Sequence, residues 1–160
     1  MAPADDFARI VTREASMTES FEQRGGCHCG ALRYTVTMPP RWMHACHCTD
    51  CQRHTGSAFG LVVAAPEARF HLTGTPKLVQ RVLGSGKVRQ RWTCPACGTW
   101  ICDEPVVIDG EDMRYIRGGT FDDTSWVVPQ IHFWIRSKQP WLVLPDDATV
   151  HPTQPGHSGH

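Results

Sequence analysis

The densest group of metal-ligand side chains in this 160-residue sequence lies between positions 44 and 54. Cys46, Cys48 and Cys51 have the spacing C-x-C-x-x-C, with histidines beside them at positions 44, 47 and 54. Zn²⁺ prefers sulfur and nitrogen ligands in tetrahedral geometry. We therefore predict a zinc ion held by three thiolates. Its fourth position is left for water or a thiol substrate, which is the pattern of a catalytic site.

A protein side chain could instead complete this site, which would make it structural. The side chains available for that fourth position are His44, His47, His54, Asp50 and Cys102. Cys102 ends the apolar, strand-like segment 99–102, and this context favours a buried, unreactive thiol over a ligand.

The other cysteines form two pairs, each followed by glycine: Cys27-x-Cys29-Gly30 and Cys94-x-x-Cys97-Gly98. Cys27, Cys29, Cys94 and Cys97 together would make a closed four-thiolate zinc site that stabilises the fold, since binding free energies on the order of 10 kcal/mol couple to folding. We thus expect two Zn²⁺ per chain. A disulfide scaffold is the alternative.

Charge and hydropathy narrow the functional classes. Lys and Arg number 16 and Asp and Glu number 16, so no net charge favours nucleic acid or an anionic membrane. No apolar run reaches the roughly 18 residues that a membrane helix needs, and residues 1–20 lack the apolar region of a secretion signal. We expect a cytoplasmic protein, in which such cysteine clusters bind metal more often than they form disulfides.

The elements that position these cysteines are predicted to be short strands, because no long segment has a 3.6-residue period. Residues 32–36 alternate apolar and polar side chains, and residues 59–65 form an apolar run typical of a buried strand. Turns at Gly84-Ser85-Gly86 and Asp109-Gly110 indicate two hairpins. The resulting fold is mostly β, built from short antiparallel strands.

One short helix and the last strand complete this prediction. Thr49 or Asp50 would cap a helix that ends at Thr55-Gly56. Residues 131–136 alternate and predict an amphipathic last strand with His132 on its polar face. We expect a lead segment at 1–23, one domain at 24–145 and a mobile tail at 146–160.

Several stretches resemble the family of glutathione-dependent formaldehyde-activating enzymes, which includes the centromere protein V group. The similarity covers roughly residues 24–145, and the ordered cysteine sets make it specific. The stretches that carry it are GCHCGALRY at 26–34, CHCTDCQR at 46–53 with GSAF at 56–59, CPACGT at 94–99, GGTFDD at 118–123, and HFWIRS at 132–137 with Pro140-Trp141.

The resemblance implies a β-tent zinc-binding fold with two metal sites. The structural zinc would be bound by the outer pairs, Cys27, Cys29, Cys94 and Cys97, and the catalytic zinc by Cys46, Cys48 and Cys51. It also implies a carbon–sulfur lyase that joins glutathione, or another small thiol, to formaldehyde or a related aldehyde as an S-hydroxymethyl adduct.

Such chemistry would need proton carriers, oxyanion donors and substrate anchors. His47, His54 and Arg53 are candidate hydrogen-bond donors to the oxyanion. His54 and Arg53 are also candidate binding residues, and His132 is a candidate catalytic proton carrier. The cationic side chains available to bind substrate carboxylates are Arg33, Arg53, Lys87, Arg89 and Arg91. The aromatic side chains that could form a pocket wall are Trp42, Phe59, Trp100, Trp126 and Trp134.

Two further hypotheses remain open at the level of sequence. One is a non-catalytic zinc module that binds a protein partner. The other is a thiol redox protein, suggested by the related fold of B-type methionine sulfoxide reductases. The sequence also leaves open whether the chain forms an oligomer.

Overall fold

Short strands dominate the computed structural model, which describes residues 21–83, 86 and 88–154. The described residues confirm a mostly β fold with two largely antiparallel sheets and one short helix. The elements are β1 (Gln23–Gly26), β2 (Arg33–Val36), β3 (Trp42–Cys46), α1 (Thr49–Thr55), β4 (Gly60–Pro66), β5 (Phe70–Thr73), β6 (Lys77–Val82), β7 (Val88–Thr93), β8 (Trp100–Asp103), β9 (Val106–Ile108), β10 (Glu111–Arg117), β11 (Ile131–Phe133) and β12 (Thr149–Val150).

The smaller sheet has three strands in the order β1-β2-β5. Tyr34 and Val36 on β2 are buried, as is Leu32 just before it, whereas Arg33 is exposed. This alternation follows the predicted pattern and gives the sheet one apolar face. Tyr34 lies against Phe70 of β5, with ring centroids 5.3 Å apart.

The larger sheet has the order β12-β11-β3-β4-β10-β8-β7-β6, and β9 pairs with β10 at its margin. Most of its pairs are antiparallel, but β11 runs parallel to both β3 and β12. Hairpins form the predicted β6–β7 and β9–β10 pairs. Asp109 and Gly110 both have positive φ, 49° and 81°, as a two-residue hairpin turn of type I′ requires.

The two faces of the larger sheet have different roles, because side chains alternate along each strand. One face carries Val63, Ile116 and Cys102, which pack in the core with Tyr34 and Phe70 of the smaller sheet. The registers place the following side chains on the opposite face: His44, Val62, Tyr115, Arg117, Asp103 and Arg91. We call this second surface the site face.

The helix begins one residue earlier than predicted. Cys48, rather than Thr49 or Asp50, is its N-cap, because the Cys48 sulfur accepts a hydrogen bond from the Cys51 backbone N–H at 3.3 Å. The predicted end is confirmed: the helix stops at Thr55, and Gly56 adopts the left-handed conformation with φ 63°.

The predicted amphipathic strand at 131–136 is wrong. β11 ends at Phe133, all three of its residues are buried, and Trp134 turns the chain with φ 61°. The reason is that rings cover both faces of β11: His47 stacks on His132, and His44 and His151 lie against Phe133. His132 is therefore buried, with 5% of its surface exposed, and has no polar face to occupy.

The sheet extends past residue 145, where we predicted the domain to end. Thr149 and Val150 form β12, in register with Ile131 and His132. Most of the lead segment (residues 1–20) and the last part of the tail (155–160) lie outside the described residues, as do Gly84 and Ser85 of the predicted turn and Lys87. Within the described part of the chain, no helix has the length and apolar character to span a membrane.

Candidate metal centres

Four sulfurs converge from two loops, one between β1 and β2 and the other between β7 and β8. The ligand atoms of Cys27, Cys29, Cys94 and Cys97 all lie within 4.8 Å of one another. Cys29 Sγ is 3.6 Å from Cys27 Sγ and 3.7 Å from Cys94 Sγ. A tetrahedral zinc with bonds of about 2.3 Å would place its ligands about 3.8 Å apart. A disulfide would need about 2.05 Å. The geometry fits a four-thiolate zinc site.

A tight turn shapes the first pair. Gly30 N–H donates to the Cys27 carbonyl at 3.1 Å, and Gly30 reaches φ 80°, a conformation that glycine adopts without strain. The Leu32 backbone N–H donates to the Cys27 sulfur at 3.2 Å. This hydrogen bond favours the thiolate form, which is the form that binds metal.

The second pair repeats this design. Cys94 N–H donates to the Thr99 carbonyl, Gly98 N–H donates to the Cys94 carbonyl, and Gly98 has φ 74°. The Thr99 hydroxyl lies 3.2 Å from Cys97 Sγ. Hydrogen bonding by Thr99 lowers the pKa of the exposed Cys97 thiol to about 5.

The central triplet is assembled where β3 meets α1. Cys46 is the last residue of β3, Cys48 caps α1 and Cys51 lies in its first turn. Their sulfurs lie within 4.8 Å of one another. Cys51 is buried, whereas Cys46 and Cys48 are partly exposed. Three soft donors that lie close together, with Cys48 partly exposed, fit a zinc ion with a position left open.

None of the five proposed fourth ligands belongs to this group in the described part of the chain. Cys102 lies on the core face, where its sulfur is 3.9 Å from Arg114 Nη1, and burial raises the pKa of its thiol to about 12. The buried His44 ring accepts a hydrogen bond at Nδ1 from the Trp42 indole at 3.2 Å. Burial lowers the pKa of His44 to about 3, so it stays neutral.

His47 and His132 point away from the triplet. His132 is in register with Ala45, which places it opposite Cys46 in the alternation of the sheet. His47 Nε2 lies 2.9 Å from His132 Nδ1, and both rings are buried. Burial lowers the pKa of both imidazoles, that of His47 to about 4. The structure thus gives the predicted proton carrier His132 a partner in His47 rather than a position beside the sulfurs.

Three arginines gather around Trp100 beside the triplet. The guanidinium carbons of Arg91 and Arg117 lie 3.7 and 4.1 Å from the Trp100 ring centroid, and that of Arg81 lies 5.8 Å away. Arg81 Nη2 is 4.0 Å from Cys51 Sγ. We call Arg81, Arg91 and Arg117 the arginine cluster. Sequence reasoning proposed only Arg91.

The arginine cluster helps to lower the pKa of the Cys51 thiol. Hydrogen bonds from the Cys46 and Cys48 thiols lower the pKa of Cys51, and the charges of Arg81 and Arg117 act in the same direction. Asp103 is the acidic residue among these arginines, and burial raises the pKa of its carboxyl. The site therefore favours a thiolate at Cys51 within a positively charged surrounding.

Arg53 and His54 are neighbours on α1 but have different surroundings. Arg53 lines a shallow surface depression with Gln52, Gly56 and Gln139. His54 faces the arginine cluster, with its ring 6.3 Å from Trp100, and burial together with Arg81 and Arg91 lowers its pKa.

The other residues predicted to bind substrate carboxylates or to form a pocket wall have partners outside the central triplet. Arg33 forms an ion pair with Asp122. Trp126 stacks edge-on against Phe121 at 4.9 Å in the core region. Arg89 lies opposite Arg81 on the β6–β7 hairpin. The remaining aromatics have these neighbours: Trp42 contacts Tyr115, Phe59 contacts His47, and Trp134 contacts Arg136.

Comparisons with known proteins find a family profile that matches most of the chain. Residues 22–137 match the sequence profile of the glutathione-dependent formaldehyde-activating enzyme family. Candidate enzymes of that name from Penicillium rubens and Talaromyces marneffei are each 25% identical over 118 residues, which is 69% of this chain and 59% and 60% of theirs. A Rhodobacter sphaeroides crystal structure superposes with a TM-score of 0.46 at 20% identity, covering 62% of this chain and 87% of that one.

Proposed function

This chain belongs to the glutathione-dependent formaldehyde-activating enzyme family, and from that premise we propose that it is a zinc-dependent carbon–sulfur lyase. It would join glutathione or another small thiol to formaldehyde or a related aldehyde, and cleave the resulting S-hydroxymethyl adduct. The chain spans about three fifths of the length of the curated relatives it matches, so the substrates are part of the proposal. The observation that carries it is the three-sulfur group of Cys46, Cys48 and Cys51, partly open to solvent.

The two centres are proposed to have separate roles. Cys27, Cys29, Cys94 and Cys97 would saturate one zinc and connect the loop before β2 to the loop before β8. Cys46, Cys48 and Cys51 would hold the other. When bound there, Zn²⁺ supplies Lewis acidity that lowers the pKa of a thiol or polarises a carbonyl oxygen.

The chain's own residues would handle charge and the proton. In the addition, a bond forms between the thiol sulfur and the carbonyl carbon, and the thiol proton ends on the former carbonyl oxygen. His54 is exposed beside the arginine cluster, and its lowered pKa keeps it neutral near pH 7. We therefore assign to His54 the proton transfer first expected of His132. Arg81, 4.0 Å from Cys51 Sγ, would stabilise the developing oxyanion.

The adduct forms without a catalyst, so the experiment must measure an acceleration. We would measure saturation transfer by NMR between ¹³C-formaldehyde hydrate and its glutathione adduct, with and without zinc-loaded protein. We expect faster exchange with the wild type, no acceleration with Cys51→Ser, and full acceleration with Cys102→Ala, whose thiol lies on the other face. Equal exchange rates with and without wild-type protein would reject this activity.

Thiol binding provides a readout that does not depend on turnover. Cobalt can replace zinc and reports thiolate ligation in its absorption spectrum. If the triplet binds substrate thiol, glutathione should add a thiolate-to-cobalt band in the wild type, whereas Cys51→Ser should lack the change. An unchanged spectrum on saturation with glutathione would show that the fourth position is closed to thiols.

A further inference from the structure

The arginine cluster brings three positive charges to one point on the site face. β6 supplies Arg81, β7 supplies Arg91 and β10 supplies Arg117. Two of the guanidinium groups lie within about 4 Å of the Trp100 ring centroid, where cation–π attraction can hold them. Arg117 is 8% exposed, so its charge is almost fully removed from solvent.

These arginines lack the partners that other arginines of the chain have. Arg33 pairs with Asp122, Arg41 with Glu111 and Arg114 with Glu67, each through two hydrogen bonds. Among the residues that the structure describes, no carboxylate forms an ion pair with the arginine cluster. Arg91 Nε and Nη2 and Arg81 Nε are buried without a hydrogen-bond acceptor there.

The charges nearby do not neutralise the arginine cluster. Three thiolates with a divalent ion carry one negative charge, and Asp103 carries a second. Against three guanidinium groups, one positive charge is left over. A buried charge without a counter-charge is costly, and buried donors without acceptors add to that cost. A bound anion would remove both costs.

We infer that Arg81, Arg91 and Arg117 form a subsite for a substrate carboxylate next to the Cys46–Cys48–Cys51 centre. The inference rests on the proposed function in one respect, because it takes the cysteine triplet as the place where the reaction occurs. Guanidinium groups match the planar, two-oxygen geometry of a carboxylate. Arg81 lies 4.0 Å from Cys51 Sγ, so the carboxylate would be close to the reacting sulfur or carbon. The substrates favoured are small thiols or aldehydes that carry a carboxylate.

The test compares ligands that differ only in this charge. With zinc-loaded protein, calorimetry would measure the binding of 3-mercaptopropionate and of its methyl ester. We expect the acid to bind at least about tenfold more tightly, as a hydrogen-bonded ion pair predicts. Arg81→Met should abolish this preference, and Arg81→Lys should restore part of it. Arg69→Met is the matched control, because it removes an equal charge at an exposed position.

A second comparison identifies which reactant carries the carboxylate. The ligands are glutathione against its diethyl ester, and glyoxylate against acetaldehyde. Weaker binding of glutathione to Arg81→Met assigns the carboxylate to the thiol, and weaker binding of glyoxylate assigns it to the aldehyde. Equal binding of acid and ester to the wild type, or an equal loss in Arg69→Met, would overturn the subsite. If glutathione leaves the cobalt spectrum unchanged but the protein still binds the acid more tightly than its ester, the lyase proposal is rejected. The carboxylate subsite would still stand.

Discussion

His47 Nε2 and His132 Nδ1 lie 2.9 Å apart, with their rings stacked at 5.2 Å between centroids. The pair lies on the side of the larger sheet opposite Cys46. The His47 backbone N–H also donates to the Phe133 carbonyl at 2.9 Å, so His47, the residue that follows β3, is connected to β11 through both its backbone and its ring. This relationship gives His132 a positioning role for the loop that carries Cys48.

Replacing His132 tests this role. His132→Phe should lower the free energy of unfolding by about 1–3 kcal/mol, because His47 loses its buried partner. Thermal denaturation of the zinc-loaded protein would measure the loss. The cobalt–thiolate spectrum and the exchange rate should stay close to wild type below the melting temperature. Unchanged stability with lost exchange would return His132 to a catalytic role.

Metal content separates the two centres. We expect two zinc ions per wild-type chain, one per chain in both Cys94→Ser and Cys51→Ser, and unfolding only in Cys94→Ser, because the closed site joins distant loops. Elemental analysis with circular dichroism would measure both properties, and Cys102→Ala should retain two ions. A single zinc in the wild type would contradict the assignment, as would unfolding of both serine variants.

Gly60 controls the distance between Arg117 and the triplet. A Cβ at this position would lie 2.7 Å from Arg117 Nη2 and 3.4 Å from Cys51 Cβ. Gly60→Ala should therefore displace the guanidinium group and weaken 3-mercaptopropionate binding by about tenfold. Gly119→Ala is the matched control, since a Cβ there has no neighbour within 4 Å. Calorimetry would detect the difference, and equal affinities of the two variants would refute the role of Arg117.

The ion pair between Arg114 and Glu67 is predicted to stabilise the fold on the core side of the larger sheet. Arg114 is 1% exposed and forms two hydrogen bonds with Glu67, as well as one with the Asp103 carbonyl at 2.9 Å. Glu67→Gln should cost roughly 2–4 kcal/mol, because it leaves a buried charge uncompensated. Glu111→Gln, in the exposed pair with Arg41, should cost less than about 1 kcal/mol. Denaturant unfolding would compare them, and similar losses would contradict this explanation.

Cys102 provides a pH-dependent prediction. Burial raises its pKa to about 12 in the folded protein, against about 8.5 for an unfolded thiol. As the pH rises above the unfolded value, the unfolded chain loses this proton first, so the contribution of Cys102 to stability falls. At pH 9 iodoacetamide should leave Cys102 unmodified in the zinc-loaded protein and modify it after denaturation. Mass spectrometry would locate the label, and native labelling at Cys102 would disprove its burial.

The sequence alone determined the local features. Cysteine spacing indicated both ligand sets, Gly30 and Gly98 indicated their turns, and Gly56 indicated the end of α1, because each depends on a few neighbouring residues. Alternation predicted β2 and turn residues predicted the hairpins. These features are sufficient to define a mostly β protein with two groups of metal ligands.

Tertiary structure alone decided which distant residues meet those ligands. Arg81 and Arg117 come from β6 and β10, and no local pattern shows that these strands share a face with β3. His132 looked solvent-facing in its own segment, but the His47 ring, which follows β3, covers it. Strand order depends on which apolar faces pack together across the whole chain, so the charge around Cys51 could be found only once the sheet was assembled.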